Sequence, residues 1–72
     1  MAQLTHVQYE ALERAVIERR RIAIYRRGTE YIVVPRSLRV QNGREQIESV
    51  HPTTGEGIVF YIDDIDDIQV IK

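Results

Sequence analysis

At 72 residues and 8.4 kDa the chain has room for one small domain with a thin core, and without cysteine neither a disulfide framework nor a thiolate metal site can supplement it. No apolar run approaches the roughly 18 residues of a bilayer span, and Met1-Ala2-Gln3-Leu4-Thr5-His6 has neither the basic nor the apolar region of a secretory leader, so a cytoplasmic location is expected. The net charge of −1 is the remainder of two larger sums: residues 1–44 hold nine Arg against four Glu, a balance of +5, and residues 45–72 hold three Glu and four Asp against Lys72, a balance of −6.

The first predicted element is a helix over about residues 5–19. Thr5 with Gln8 three positions later has the spacing of a capping box, and Leu4 with Tyr9 occupies the positions of a hydrophobic staple. Val7, Ala11, Leu12, Ala15 and Val16 recur at intervals of three and four and form one apolar stripe, while Glu10 and Arg14 stand four apart in the favourable order. The rhythm stops at Arg19-Arg20-Arg21. From there to about residue 71 the pattern is β. Ile22–Tyr25 is a strand ending in the turn signal Arg26-Arg27-Gly28-Thr29, and Tyr31–Val34 is a second, punctuated by Pro35, which cannot donate a ladder hydrogen bond and implies an edge or a bend. Leu38 and Val40 carry the alternation to Asn42-Gly43, the pair that a type I′ hairpin turn favours because both central residues need positive φ. Ile47 and Val50 lie on the return strand, a looser loop spans 51–57, Ile58–Ile62 is the next strand, and a tight turn through Asp63–Asp67 leads to the closing strand Ile68–Ile71. Five short antiparallel strands cannot build a two-sheet sandwich with a sizeable core. The economical solution is a mainly β fold with one N-terminal helix, a bent sheet closing as an SH3-like or Sm-like small β-barrel; an open meander with the helix across one face is the alternative.

The order of residues also carries a resemblance. A helix ending in Ala15-Val16-Ile17, then Ile22-Ala23-Ile24-Tyr25, then Val33-Val34-Pro35-Arg36-Ser37-Leu38, a Gly-centred hairpin and a close of Phe60-Tyr61-Ile62-Asp63-Asp64-Ile65 resemble a WYL domain over roughly residues 12–71. The resemblance implies an SH3/Sm-like barrel of the kind found mostly in bacterial transcriptional regulators and phage-defence proteins, where it is thought to sense nucleotide or nucleic-acid ligands. The chain departs from the pattern at ligand positions. Glu45-Gln46-Ile47 stands where the family has Trp-Tyr-Leu, Tyr31 replaces an arginine ahead of the proline, and Tyr61 and Asp64 replace two arginines of the closing segment. No winged helix-turn-helix precedes the barrel, so sequence-specific DNA recognition is not implied.

The candidate ligand-binding residues are Arg26, Arg36, Arg39 and Tyr25. Guanidinium groups suit bidentate phosphate contact, and Tyr25 could stack on a base. Arg26 shares its parity with Ile22 and Ile24, which places one residue of the Arg26-Arg27 pair along the barrel wall, and Arg39 is opposite in parity to Leu38 and Val40. The bland alternative is that these arginines pair with the acidic second half or solvate the surface. The Asp63–Asp67 run lacks the ligand spacing and the glycine of a calcium loop and reads as a solvated turn anchored by Ile65 and Ile68, or as a partner for Arg19–Arg21. No nucleophile motif surrounds Ser37, Ser49, Thr53 or Thr54, and Gly55-Glu56-Gly57 is too short for a phosphate loop, so neither catalysis, a metal nor a cofactor is expected. Two functions fit: a regulatory module that binds a nucleotide or nucleic acid, or a module that self-associates or docks on a larger protein through its edge strands and opposed charges.

Overall fold

The computed structural model describes residues 4–71. Helix α1 (His6–Glu18) starts at Thr5, whose side chain accepts from the Gln8 amide while the Gln8 side chain accepts from the Thr5 amide, the reciprocal box that the sequence predicts. It ends at Arg19, which takes the left-handed conformation (φ 56°, ψ 44°) usually left to glycine. Of the predicted stripe, Leu12 and Ala15 are buried, Ala11 and Val16 are half-buried, and Val7 is 74% exposed. Val7 stands five residues from Leu12, about 140° round the helix, too far to share its face. Gln8 turns inward instead and donates to Asp67.

Five strands follow: β1 (Ile22–Arg26), β2 (Thr29–Gln41), β3 (Arg44–Val50), β4 (Gly57–Tyr61) and β5 (Asp67–Val70), all antiparallel to their neighbours in the order β4-β3-β2-β1-β5. The fold is thus mainly β with one helix. Among the described residues no ladder joins β4 to β5, so these strands are the two edges.

Strand β2 is the hinge of the architecture. The sequence reads two segments interrupted by Pro35, whereas the structure has one 13-residue strand whose first half pairs with β1 (Ile22↔Val33, Ile24↔Tyr31) and whose second half pairs with β3 (Leu38↔Ile47, Val40↔Glu45). Pro35 falls where the β1 ladder has ended, so its missing N–H breaks no bond on that side. One position on, the register skips Arg36: Pro35 faces Ser49, and Ser37 faces Glu48. This bulge bends β2 and folds the two half-sheets around one core. Ile22, Ile24, Val33, Ile47, Phe60, Ile65 and Ile68 fill it from the sheet side and Leu12 and Ala15 from the helix, with the rings of Tyr31 and Phe60 meeting edge to face at 5.2 Å.

Both tight hairpins use left-handed residue pairs, Arg27-Gly28 (φ 52° and 77°) and Asn42-Gly43 (φ 54° and 75°). Asn tolerates this conformation well, and the Arg27 turn has outside support, since its amide donates to Asp66 Oδ2 at 3.0 Å. A short 3-10 helix, η1 (Ile62–Asp64), makes the turn after β4, and β5 is held at both ends by backbone bonds from Asp66 to Tyr25 and from Ile71 to Arg21.

Candidate functional site

The four residues singled out by sequence have different fates. Arg26 follows the parity rule: its guanidinium lies 5.1 Å from the Tyr31 ring centroid and 5.2 Å from that of Phe60, and Nη2 donates to the Tyr31 hydroxyl at 3.3 Å. It closes one end of the core by cation–π contact. Tyr25, one position earlier and facing the other way, donates to Glu30 across the hairpin at 2.7 Å, and that bond to a carboxylate holds its phenol above the ordinary range. Arg39 donates to Glu48 at 3.1 Å. Glu48 also accepts from the Ser37 hydroxyl at 2.7 Å, and these two donors, Ser37 first, hold its carboxyl below the ordinary value. Arg36, at the bulge, has no ion-pair partner among the described residues. No hydrogen bond or ion pair among the described residues joins any two of the four.

Arg36 instead shares a cleft with Arg19. The cleft, about 270 Å³, is lined by Val16 and Arg19 from the end of α1, Val34, Pro35 and Arg36 from β2, and Val50 from the end of β3. Two features of the chain make it. The left-handed turn at Arg19 ends the helix beside the sheet, and the bulge leaves Arg36 without an opposite residue on β3. The lining is apolar apart from the two arginines and includes no carboxylate. Such a cleft suits a ligand with a compact anion and an apolar or planar body, because each guanidinium offers several planar donors and the floor offers no competing polar group. The expected meeting of Asp63–Asp67 with Arg19–Arg21 does not occur: Arg20 pairs with Glu18 at 2.6 Å, and Arg14, Arg19 and Arg21 make no ion pair among the described residues.

The aspartates turn to the other end of the molecule. Asp63 accepts two hydrogen bonds from Arg44, at 2.8 and 3.2 Å, and is held below the ordinary carboxyl range by them; Asp64 lies 3.9 Å from the same guanidinium, which stacks 3.9 Å from the Tyr61 ring centroid. Beside them, Tyr9 donates to Glu45, and that bond together with partial burial pushes its phenol up to about 12. These groups edge a second cleft, about 400 Å³, lined by Leu4, Tyr9, Gly43, Arg44, Glu45, Ile62 and Asp63. Leu4 and Tyr9 both pack on the core, as the staple positions lead one to expect.

Sequence reasoning named Arg36 as a site residue but grouped Arg19 only with its neighbours in the Arg19–Arg21 run. The signal available was the end of the three-four rhythm, which marks Arg19 as the helix cap but not the direction of its side chain. Comparison of the chain with protein-family models, with curated proteins and with solved structures finds no match.

Proposed function

We propose that this chain is a non-catalytic regulatory module that binds a phosphate-bearing ligand, a nucleotide or a short stretch of nucleic acid, with Arg19 and Arg36 gripping the phosphate. The observation that carries this reading is the cleft between the end of α1 and the bulge of β2, which two arginines line together with apolar residues and no carboxylate. A WYL-like relationship, with the bacterial regulatory role it implies, is part of the proposal and rests on the sequence resemblance over roughly residues 12–71. The SH3-like or Sm-like barrel belongs to the same reading, as an open form in which β4 and β5, unpaired with each other among the described residues, are the two edges. Of the other sequence-nominated residues, Arg26 stabilises the fold from the Tyr31 and Phe60 rings, while Tyr25 and Arg39 are engaged by Glu30 and Glu48.

The test is fluorescence anisotropy with labelled short single-stranded RNA and DNA, and with a labelled mononucleotide, at low and moderate salt. One phosphate neutralised by the pair predicts a log–log salt slope of about −0.7 on a single strand, with the tightest binding at the low-salt end near 50 mM. Absence of binding to all three probes at low salt sinks the reading, because a phosphate-driven site is strongest there.

A further inference from the structure

Helix α1, at 13 residues about 20 Å long, joins two clefts of opposite charge. Its C-terminal end, with Val16 and Arg19, borders the basic cleft, and its N-terminal end, with Leu4 and Tyr9, borders the cleft that holds Glu45 and Asp63. The second half of β2 runs back the other way, from Val34–Arg36 at the basic cleft to the hairpin tip at Gly43. The basic cleft contains two positive groups and no negative one. At the other end Glu45, Asp63 and Asp64 outnumber the single Arg44, and the Arg44 guanidinium is already committed to Asp63 and the Tyr61 ring. The +5 and −6 of the sequence are partly cancelled within the fold by Arg39–Glu48 and Arg44–Asp63; of the groups outside those pairs, Arg19 and Arg36 stand at the basic cleft and Glu45 at the acidic one, with Asp64 beside Arg44. Each end also shows a large apolar side chain to solvent: Ile17, 80% exposed, at the basic end, and Val40, 69% exposed, opposite Glu45 near the acidic end.

We propose that the occupant of the acidic cleft is a second copy of this chain, docked head to tail by its Arg19/Arg36 cleft. Charge complementarity selects the orientation, and Ile17 against Val40 supplies apolar burial that a purely ionic contact would lack. The two faces differ, so the contact is heterologous and adds copies in rings or chains rather than stopping at a two-fold dimer. The inference rests on the proposed function to this extent: the cleft assigned to phosphate is the one a neighbouring copy covers, so a phosphate-bearing ligand and self-association compete for the same arginines.

Sedimentation velocity from micromolar to near-millimolar protein provides the test. The expected result is a mass that rises with concentration at low salt and returns to the monomer in high salt or on addition of the short oligonucleotide. Arg36→Glu blocks one face and Asp63→Lys the other, with Glu45→Lys in reserve if Asp63→Lys fails to fold. Each variant alone is expected to remain monomeric at concentrations about tenfold above the wild-type midpoint, and a mixture of the two to form a 1:1 dimer through the intact face of each. A wild-type chain that stays monomeric throughout, or variants whose mixture does not dimerise while wild type associates, overturns the proposal. Asp63→Lys separates this failure from that of the phosphate reading, since it keeps the basic cleft. If it binds the oligonucleotide while wild type never associates, the ligand site stands and the head-to-tail contact falls.

Discussion

Arg36 and Arg39 lie three residues apart on one strand and are both exposed, yet one has a carboxylate partner and the other faces a cleft. The cause is register. Continued without interruption, the ladder that pairs Val34 with Val50 and Pro35 with Ser49 would set Arg36 opposite Glu48. The bulge passes over Arg36 and gives that position to Ser37, whose hydroxyl shares Glu48 with Arg39. One extra residue in β2 thus decides which arginine is neutralised. The charge of a surface residue is a property of its sequence, but its availability is a property of strand pairing.

The comparison can be broken most severely through the core that both arginines depend on. Phe60 is fully buried at the meeting of the half-sheets, and Phe60→Ala should cost about 3–5 kcal/mol, enough to unfold a domain of this size, as a loss of cooperative urea unfolding by circular dichroism would register. A cleaner separation comes from single charges. Arg36→Ala is expected to weaken oligonucleotide binding about tenfold, as the loss of one charge-assisted contact does, while Arg39→Ala changes it less than about twofold. Equal losses from both would mean that binding follows total charge and that the bulge is irrelevant to it.

Arg19→Gly sharpens the point by dividing stability from binding. Relief of a left-handed non-glycine residue at the helix end should stabilise the fold by about 0.5–1 kcal/mol and raise the melting temperature by a few degrees, while the same change removes half of the guanidinium pair and weakens binding. A parallel fall in both would show that Arg19 is there for the fold alone. The smallest effect is the pH dependence of the Arg39 side. Glu48, whose ordinary pKa is 4.5, is held lower in the folded chain, so its contribution is present above that value and lost as the pH falls through the folded one. Glu48→Gln should flatten this part of the decline in melting temperature below about pH 4.5 and leave the neutral-pH binding of the oligonucleotide unchanged. An unaltered acid profile would remove Glu48 as the residue that occupies Arg39.

Much of this fold is written locally. Thr5 and Gln8, Asn42-Gly43 and the alternation through Ile22, Ile24, Ile47 and Phe60 each act within a few residues, so helix cap, hairpin and strands are legible in the chain. Arg26 too is placed by parity with Ile22 and Ile24, although parity does not reveal that its partners are the Tyr31 and Phe60 rings. The rest depends on pairings distant in sequence. Pro35 announces a bend, but which residue the register omits depends on β3, and the choice of Arg44 rather than the Arg19–Arg21 run by Asp63 depends on the hairpin tip reaching η1. Val7 illustrates the limit of a spacing rule, since each step of four overshoots a turn by about 40°, and the two steps from Val7 through Ala11 to Ala15 carry the first residue of the stripe about 80° round from Ala15.

The bulge at Arg36 also acts as a frameshift in side-chain orientation. Ahead of it the odd-numbered residues of β2 point inward, with Val33 and Pro35 buried, and beyond it Leu38 packs on the core while Arg39 faces solvent. A scan of tolerated substitutions along residues 29–41 should therefore alternate with a period of two and change phase once, at Arg36. Insertion or deletion of a single residue should be harsher on one side of that point than any polar substitution at an outward position. A strand that serves two half-sheets has two reading frames, and the arginine at the junction belongs to neither.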